Sequence, residues 1–499
     1  MESVIIQEQK KDKLSTLFEK EISSEERYNL GQYFTHKEIV NFIVDSIPIK
    51  KGYKVLDPTC GAGAFLKKVL DENTINSRDV YGSDIDPRAL DLCKKNLDNK
   101  SQNILLGDFI KEELFQENFF DLIIGNPPFK NLNSNNKEFS LKNKYYQKII
   151  FGTVNSASLV LAKSYFLLKE GGYLGFVLPK NFIRVDSFRK IRNFILENMS
   201  IILIKDLDHY FKDVRCDQIV IVAQKKKPTL KNKIKIISYK KGNSFLNHPE
   251  YYLTQQEFLN YSFYPLFYNE EVKIIADKLL SIKRTLTDES IIFRGEALSK
   301  FKKYISNEQV RKDLFLLRGN SIQRFGIKHR LFLKKDFSQK LLNGRAEKIL
   351  QEKIVIQNLT SKEGGIFSTI SEENELTLDT VTNIIPNNKE NLLYLNGLLG
   401  SRLCNFFMTH LIYLNSNFSM HTDKSYIGRL PIIYPDLSTK KEFNLIVKEL
   451  LSEEDKYSKS FKEKYEKMNG LIYKIYGLKR EAFEIIENSL KEVMSKKNG

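Results

Sequence analysis

Residues 121–130 read Asp-Leu-Ile-Ile-Gly-Asn-Pro-Pro-Phe-Lys, an apolar run that stops at Asn126-Pro127-Pro128-Phe129. Proline has no N–H for a ladder and restricts the residue before it, so a stiff loop is expected at the carboxyl end of a buried strand. In an open α/β sheet that edge is where ligands bind. The Asn126 amide oxygen and the Pro127 carbonyl are two acceptors that could receive both protons of an exocyclic amine. The Phe129 ring could stack on the heterocycle carrying that amine, which contributes roughly 1 to 3 kcal/mol. A proline loop whose Phe belongs to the core is the alternative reading of the same residues.

Three further strand ends precede this loop. Lys54-Val55-Leu56-Asp57-Pro58-Thr59-Cys60-Gly61-Ala62-Gly63-Ala64-Phe65 reads as a strand, a loop with two glycines and the start of a helix. In such a turn small residues let the backbone approach a nucleotide-type ligand. Val80-Tyr81-Gly82-Ser83-Asp84-Ile85 follows at second-strand distance, with an acid placed to hold a ribose diol. Asn103-Ile104-Leu105-Leu106-Gly107-Asp108-Phe109 repeats the strand-then-acid pattern. Asp57, Asp84 and Asp108 would then face one crevice, the alternative being three solvated turn aspartates.

The elements that must position these groups can be read around them. Leu14, Leu17, Phe18 and Ile22 have helical spacing and lead into a loop ending at His36. A helix from Lys37 is closed by Pro48. Residues 130–148, rich in Asn and Lys, suit a lid or substrate loop. A helix over 155–169 ends at Gly171-Gly172, and a strand over 173–178 stops at Pro179. Two more strands, 201–204 and 218–223, flank Tyr210-Phe211. Lys225-Lys226-Lys227-Pro228 interrupts the alternation, and the spacing predicts a domain boundary there. The expected architecture is therefore α/β: a Rossmann-like, mostly parallel sheet over 1–228, a mixed α/β domain over 229–440, and a helical segment over 441–499 packed on it.

The 499 residues exceed one ordinary core. No apolar run reaches the roughly 18 residues of a membrane span, and the charged N-terminus lacks a secretory apolar segment. Cys60, Cys93, Cys216 and Cys404 are scattered, as are the six histidines, so neither a disulfide framework nor a metal site is signalled. The net charge of +17 is unevenly placed: residues 1–225 hold 33 basic against 30 acidic groups, and residues 226–499 hold 46 against 32. Residues 301–350 alone hold 13 against 4, which points to a polyanion partner for the C-terminal half. Arg318 and Arg324 flank a Gly-containing loop in that window and are candidates for contact with it.

With the glycine loop, the strand-end carboxylates and Asn126-Pro127-Pro128-Phe129 in this order, the chain resembles the S-adenosylmethionine-dependent N6-adenine DNA methyltransferases. It is similar to the branch in which cofactor motifs precede the catalytic motif and a target-recognition domain follows. The likeness is strongest over 28–225, and Leu317-Arg318-Gly319-Asn320-Ser321-Ile322 and 392–431 are like parts of related recognition domains. The resemblance implies that Tyr33 and Thr35 lie near the methionine carboxylate, His36 standing where the family usually has Pro. It implies a cofactor loop of Asp57, Thr59, Gly61 and Gly63, with Asp84 on the ribose, Ile85 beside it, and Asp108 and Phe109 at the cofactor adenine. Asn126, Pro127, Pro128 and Phe129 would be catalytic, with Pro128 also touching the cofactor and Phe in place of the commoner Tyr. Phe211 is similar to a second aromatic that packs on the extruded base.

The implied activity is methyl transfer to the N6 amine of an adenine flipped out of a specific double-stranded DNA sequence, extrusion costing a few kcal/mol. The implied setting is the cytoplasm of a bacterial cell, or a phage-encoded protein, with no membrane partner and with a separate restriction endonuclease as a candidate companion. The same loop also serves methyltransferases that act on RNA adenine or on a protein glutamine, and a cofactor-binding DNA module without catalysis is a further alternative. The large basic second half favours DNA over a protein substrate and leaves RNA open. Pro435-Asp436 is followed by Glu442-Phe443-Asn444, without the Lys a nuclease motif requires, so a fused nuclease is not expected.

Overall fold

Nine strands form one sheet in the first part of the chain: β1 (Val55–Asp57), β2 (Val80–Asp84), β3 (Asn103–Leu106), β4 (Phe120–Gly125), β5 (Leu168–Pro179), β6 (Ser200–Asp208), β7 (Gln218–Gln224), β8 (Lys233–Ile237) and β9 (Glu250–Thr254). Their order is β9-β8-β6-β7-β5-β4-β1-β2-β3. β1 to β5 pair in parallel, and β7 runs antiparallel to both β5 and β6. The computed structural model describes residues 35–494 apart from 72–74, 133–143, 148, 150–153, 209–216, 240–244, 260, 262, 267–269, 307–313, 339–341, 343–345, 361–364 and 415–419.

The central strands are apolar and buried, as parallel strands covered on both faces must be. Among the helices around them are α1 (Lys37–Asp45), α2 (Ala64–Asp71), α3 (Pro87–Asn96), α4 (Ser156–Leu167) and α5 (Arg189–Asn198). α1 buries Ile39, Val40, Ile43 and Val44 on one stripe. A Cβ on Gly175 of β5 would lie 2.7 Å from Ile43 Cγ2, so the helix rests directly on the strand. Truncating Ile43 to Ala would cost about 2 to 5 kcal/mol. α3 starts with Asp86 as N-cap and Pro87 in its first turn, a pairing that satisfies one orphan N–H and omits another. α4 is buried all round, ten of its twelve residues being inaccessible.

The chain divides into two compact units, Met1–Leu266 and Phe267–Gly499. The boundary expected at 228 thus lies too early. β8 pairs in parallel with β6 and β9 pairs with β8, so the sheet of the first unit runs on past it. Lys225 is no linker residue either: its Nζ turns inward to the Leu168 carbonyl at 2.7 Å and Asn118 Oδ1 at 3.0 Å. The aromatic stretch that follows is largely core, with Tyr251, Phe258, Phe263 and Tyr264 buried and the Tyr264 hydroxyl donating to the Arg192 carbonyl.

The second unit holds two four-stranded sheets. One contains β10 (Ser290–Arg294), β14 (Lys353–Gln357), β15 (Ser368–Ser371) and β17 (Val381–Pro386), paired antiparallel in the order β10-β17-β14-β15. The other contains β11 (Ile305–Ser306), β12 (Phe315–Leu317), β13 (Leu331–Leu333) and β16 (Glu375–Thr377), in the order β11-β13-β12-β16. Helix α6 (Leu392–Leu399) then meets α7 (Leu437–Ser452), where a Cβ on Gly397 would fall 2.6 Å from Phe443 Cε1. α8 (Lys459–Ile475) and α9 (Arg480–Met494) follow, joined to the rest of the unit through Arg402, which pairs with Glu466 and Glu487. Among the described residues no helix is long and apolar enough to cross a membrane.

Candidate active site

The sheet changes direction between β1 and β4. The chain winds outward from β1 through β2 to β3 on one side, and from β4 to β5 on the other, so the crevice at the carboxyl ends of β1 and β4 is the switch point. Asp57 ends β1, and Gly125 ends β4 just before Asn126.

The glycine loop is stitched to the end of β2. Cys60 N–H donates to the Ser83 carbonyl at 2.9 Å, Ser83 Oγ donates to the Pro58 carbonyl at 2.8 Å, and Gly61 N–H donates to Asp84 Oδ2 at 2.9 Å. Gly61 and Gly63 have φ of +50° and +83°, which glycine adopts at little cost. A Cβ on Gly63 would lie 2.6 Å from Cys93 Sγ, whereas one on Gly61 would meet nothing within 4 Å. The loop is therefore closed toward α3 at Gly63 and open at Gly61.

Asp57 and Asp84 are buried carboxyls. Burial pushes Asp57 up to about 8, opposed by the N–H of Thr59 on its Oδ1 at 3.2 Å, with neighbouring Asp84 adding to the rise. Burial likewise raises Asp84, against the N–H groups of Asp86 and Gly61. Ile85 is 53% exposed, an uncovered apolar side chain at the end of β2. Asp108 is half-buried in a tight turn, accepting from Ile110 N–H at 3.0 Å. Phe109 faces inward instead and is buried beneath Lys163 and beside Phe115.

Asn126 is half-buried, Pro127 buried, and Phe129 packs partly against the core of the first unit. Ser156, the first residue of α4, holds this turn. Its N–H donates to the Lys130 carbonyl at 2.9 Å, its Oγ accepts from Lys130 N–H at 2.9 Å, and its hydroxyl donates to the Pro128 carbonyl. Among the described residues nothing donates to the Pro127 carbonyl. Lys163, two turns along α4, donates to the carbonyls of Phe109 at 2.8 Å and Glu112 at 2.5 Å. Neither Ser156 nor Lys163 carries a sequence signal for these roles.

Thr35 is half-buried just before α1, and His36 caps that helix, its Nδ1 accepting from Glu38 N–H at 3.4 Å. Tyr33 and Phe211 lie outside the described residues, as does most of the expected lid. In the second unit Arg318 is half-exposed before a short turn, where Gly319 N–H donates to Thr380 Oγ1 at 2.9 Å. The Arg324 guanidinium lies over the Phe367 and Tyr465 rings, 5.2 and 4.7 Å from their centroids. The two arginines are thus differently employed.

The pieces fit an adenosine-type cofactor on two grounds. Thr59 Oγ1 is buried without a hydrogen-bond partner among the described residues, an arrangement that costs about 1 to 3 kcal/mol if nothing pairs with it. Gly61 also leaves a gap that a Cβ would enter unhindered.

A glycine loop and an Asn-Pro-Pro-Phe turn thus stand together at the switch point of a doubly wound α/β sheet. Residues 9–315 match the N-6 DNA Methylase family, and the chain belongs to it. Residues 314–432 match the TaqI-like C-terminal specificity domain. The chain is 28% identical over 223 residues to the Type II methyltransferase M.VspI of Vibrio sp. (strain 343), covering 43% of this chain and 53% of that protein. It is 31% identical over 234 residues to M.BsuBI of Bacillus subtilis, covering 42% and 46%. The chain therefore spans about half the length of the relatives it matches. In fold it is similar to the type IIL restriction-modification enzyme MmeI, with a TM-score of 0.60 at 12% identity, covering 97% of this chain and 77% of that one. The DrdV–DNA complex gives a TM-score of 0.52 at 14% identity, covering 85% and 57%.

Proposed function

We propose that this chain methylates the N6 amine of an adenine in a specific double-stranded DNA sequence, with S-adenosylmethionine as donor. The observation that carries the reading is the approach of the two loop roots: Gly125, which precedes Asn126, lies against the Asp57 carboxyl that begins the glycine loop. An amine held by the 126–129 turn would stand beside a group held by the 57–63 loop, which is catalysis by positioning.

When bound, S-adenosylmethionine supplies an electrophilic methyl group on a sulfonium. Asp84 would accept from the ribose hydroxyls, Ile85 would cover one face of the adenine, and the open side of Gly61 with Thr59 Oγ1 would meet the rest. Asp108 would take the cofactor adenine, with Thr35 and Tyr33 near the methionine carboxylate. The Asn126 oxygen and the open Pro127 carbonyl would accept the two amine protons, leaving the nitrogen lone pair directed outward. Phe129 would stack on the extruded base, assisted by Phe211.

DNA as substrate is supported by the match to a specificity domain and by the basic window at 301–350, with Arg318 as the better-placed arginine. MmeI and DrdV, which the fold resembles, are described in complexes with DNA. A separate restriction endonuclease reading the same sequence, in the same cytoplasm, is the expected companion. Methylation-sensitive sequencing of DNA from cells expressing the chain tests the reading: N6-methyladenine should accumulate in one sequence motif. Methyl groups found only in RNA or protein would overturn it.

A further inference from the structure

Helix α4 reaches both loops on which the proposed chemistry depends, through side chains that take no part in that chemistry. Ser156 binds the catalytic turn and Lys163 binds the loop after β3. Seven residues separate them, two turns or about 10 Å along one side of the helix. A lysine 1% exposed in a buried helix is costly unless its donors find acceptors, and here two carbonyls receive two of the three. α4 is thereby pinned to the cofactor side of the crevice at Lys163, so whatever Ser156 holds is set relative to that side.

Ser156 holds one particular carbonyl. Pro127 and Pro128 present consecutive carbonyl groups, and ring closure restricts φ at both residues. The single hydroxyl proton of Ser156 goes to Pro128, and the Lys130 N–H occupies a lone pair of the same oxygen. The next residue outward repeats the attachment, Asn155 Nδ2 donating to Asn131 Oδ1 at 3.1 Å while Asn155 Oδ1 caps the helix on Ala157 N–H. The turn is therefore held from one side through Pro128 and Lys130, and among the described residues the Pro127 carbonyl is the one left without a donor.

We infer that Ser156 is a positioning residue for methyl transfer: it clamps the Pro128 carbonyl to α4 and so presents the Pro127 carbonyl and the Asn126 amide to the substrate amine. The inference rests on the adenine methyltransferase reading. Its test is the comparison of Ser156→Ala and Ser156→Thr with the wild-type chain in single-turnover methylation of duplex DNA. The product would be identified by mass spectrometry, and cofactor and DNA affinities measured separately.

Ser156→Ala should lower the single-turnover rate roughly 10- to 100-fold while leaving both dissociation constants within about twofold, and Thr should restore most of the rate. A target adenine replaced by 2-aminopurine should still become fluorescent with the Ala variant, because extrusion precedes the step that is lost. A wild-type rate in Ser156→Ala overturns the inference, and so does an equal loss in the Ala and Thr variants or a loss explained wholly by weaker cofactor binding. Absence of N6-methyladenine from the wild-type reaction overturns the underlying reading as well. Product formed normally by both wild type and Ser156→Ala removes only the role of Ser156.

Discussion

Gly125 and Asp57 approach so closely that a Cβ on Gly125 would lie 2.5 Å from Asp57 Oδ1. The carboxyl ends of β4 and β1 meet there with no room for a side chain. Gly125→Ala must displace the buried Asp57 carboxyl or part the two strand ends, an overpacking that costs about 1 to 3 kcal/mol. It also displaces Asn126, the next residue. A lowered unfolding midpoint together with a single-turnover rate reduced more than about tenfold is expected. Unchanged values of both would mean that the strand ends can part without consequence.

Asn126→Ala should abolish methyl transfer, a loss on the order of 10²- to 10³-fold or more, while cofactor and DNA binding survive. The acceptor acts mainly on the transition state, so the effect belongs to the rate and not to either affinity. Rapid-quench assays at saturating cofactor and DNA measure it. A near wild-type rate would make the Asn-Pro-Pro-Phe turn a structural feature only.

Asp84→Ala should weaken S-adenosylmethionine binding more than it slows transfer at saturating cofactor, because a ribose contact is shared by ground and transition states. The Gly61 N–H that donates to Asp84 Oδ2 would lose its partner, which adds to the loss of affinity. Titration calorimetry decides the matter. An unchanged dissociation constant would remove Asp84 from the site.

The buried acids make a prediction about pH. The Asp57 carboxyl is pushed from its ordinary 3.8 up to about 8, and Asp84 moves in the same direction. A folded-state value above the unfolded one means that Asp57 stabilises the cofactor-free protein fully below about pH 4 and that this contribution is lost as pH rises toward 8, with Asp84 acting in the same direction. A cationic ligand near Asp57 would favour the carboxylate. Cofactor affinity should therefore climb between about pH 6 and 8, by at most tenfold per pH unit for one proton, with release of that proton. Calorimetry in two buffers of different ionisation enthalpy would detect the release, and identical heats with a flat affinity profile would contradict it.

Arg318 and Arg324 should separate cleanly. Arg318→Ala is expected to weaken DNA binding and, for a phosphate contact, to flatten the slope of log affinity against log salt by roughly 0.9. For a guanine contact it should instead cost about 1 to 3 kcal/mol and relax the methylated motif at one position. Arg324 lies over two rings, so Arg324→Ala should lower the unfolding midpoint first. Salt-dependent binding measured beside thermal melts tests both. An Arg318→Ala variant unchanged in slope and motif would move the DNA surface elsewhere in the second unit.

The site's outline was legible because its signals are local. Apolar runs ending in Asp57, Asp84 and Asn126 mark buried strands and their carboxyl ends, the run before Asp108 marks an edge strand whose Leu105 and Leu106 are exposed, and Gly61, Gly63, Pro127 and Pro128 impose backbone conformations that need no distant partner. α1, α4 and the strands from β1 to β7 lie close to where periodicity puts them. The extent of the sheet was not legible. Lys-Ile-Lys-Ile-Ile alternates in the same way whichever sheet it joins, and only the register of Lys235 against Leu203 assigns β8 to the first unit. The inward turn of Lys225, the rings beneath Arg324 and the burial of Phe109 were hidden for the same reason: each depends on residues far away in the chain. Ser156 and Lys163 are the clearest case. Their partners lie 26 to 54 residues away, and a serine and a lysine in an apolar helix have no meaning until the fold brings carbonyl groups to them. Local sequence determined which groups stand at the strand ends, because backbone restriction and apolar periodicity act over a few residues. Tertiary packing decided how those groups are held, because a buried donor is directed by whichever acceptor the fold places within reach.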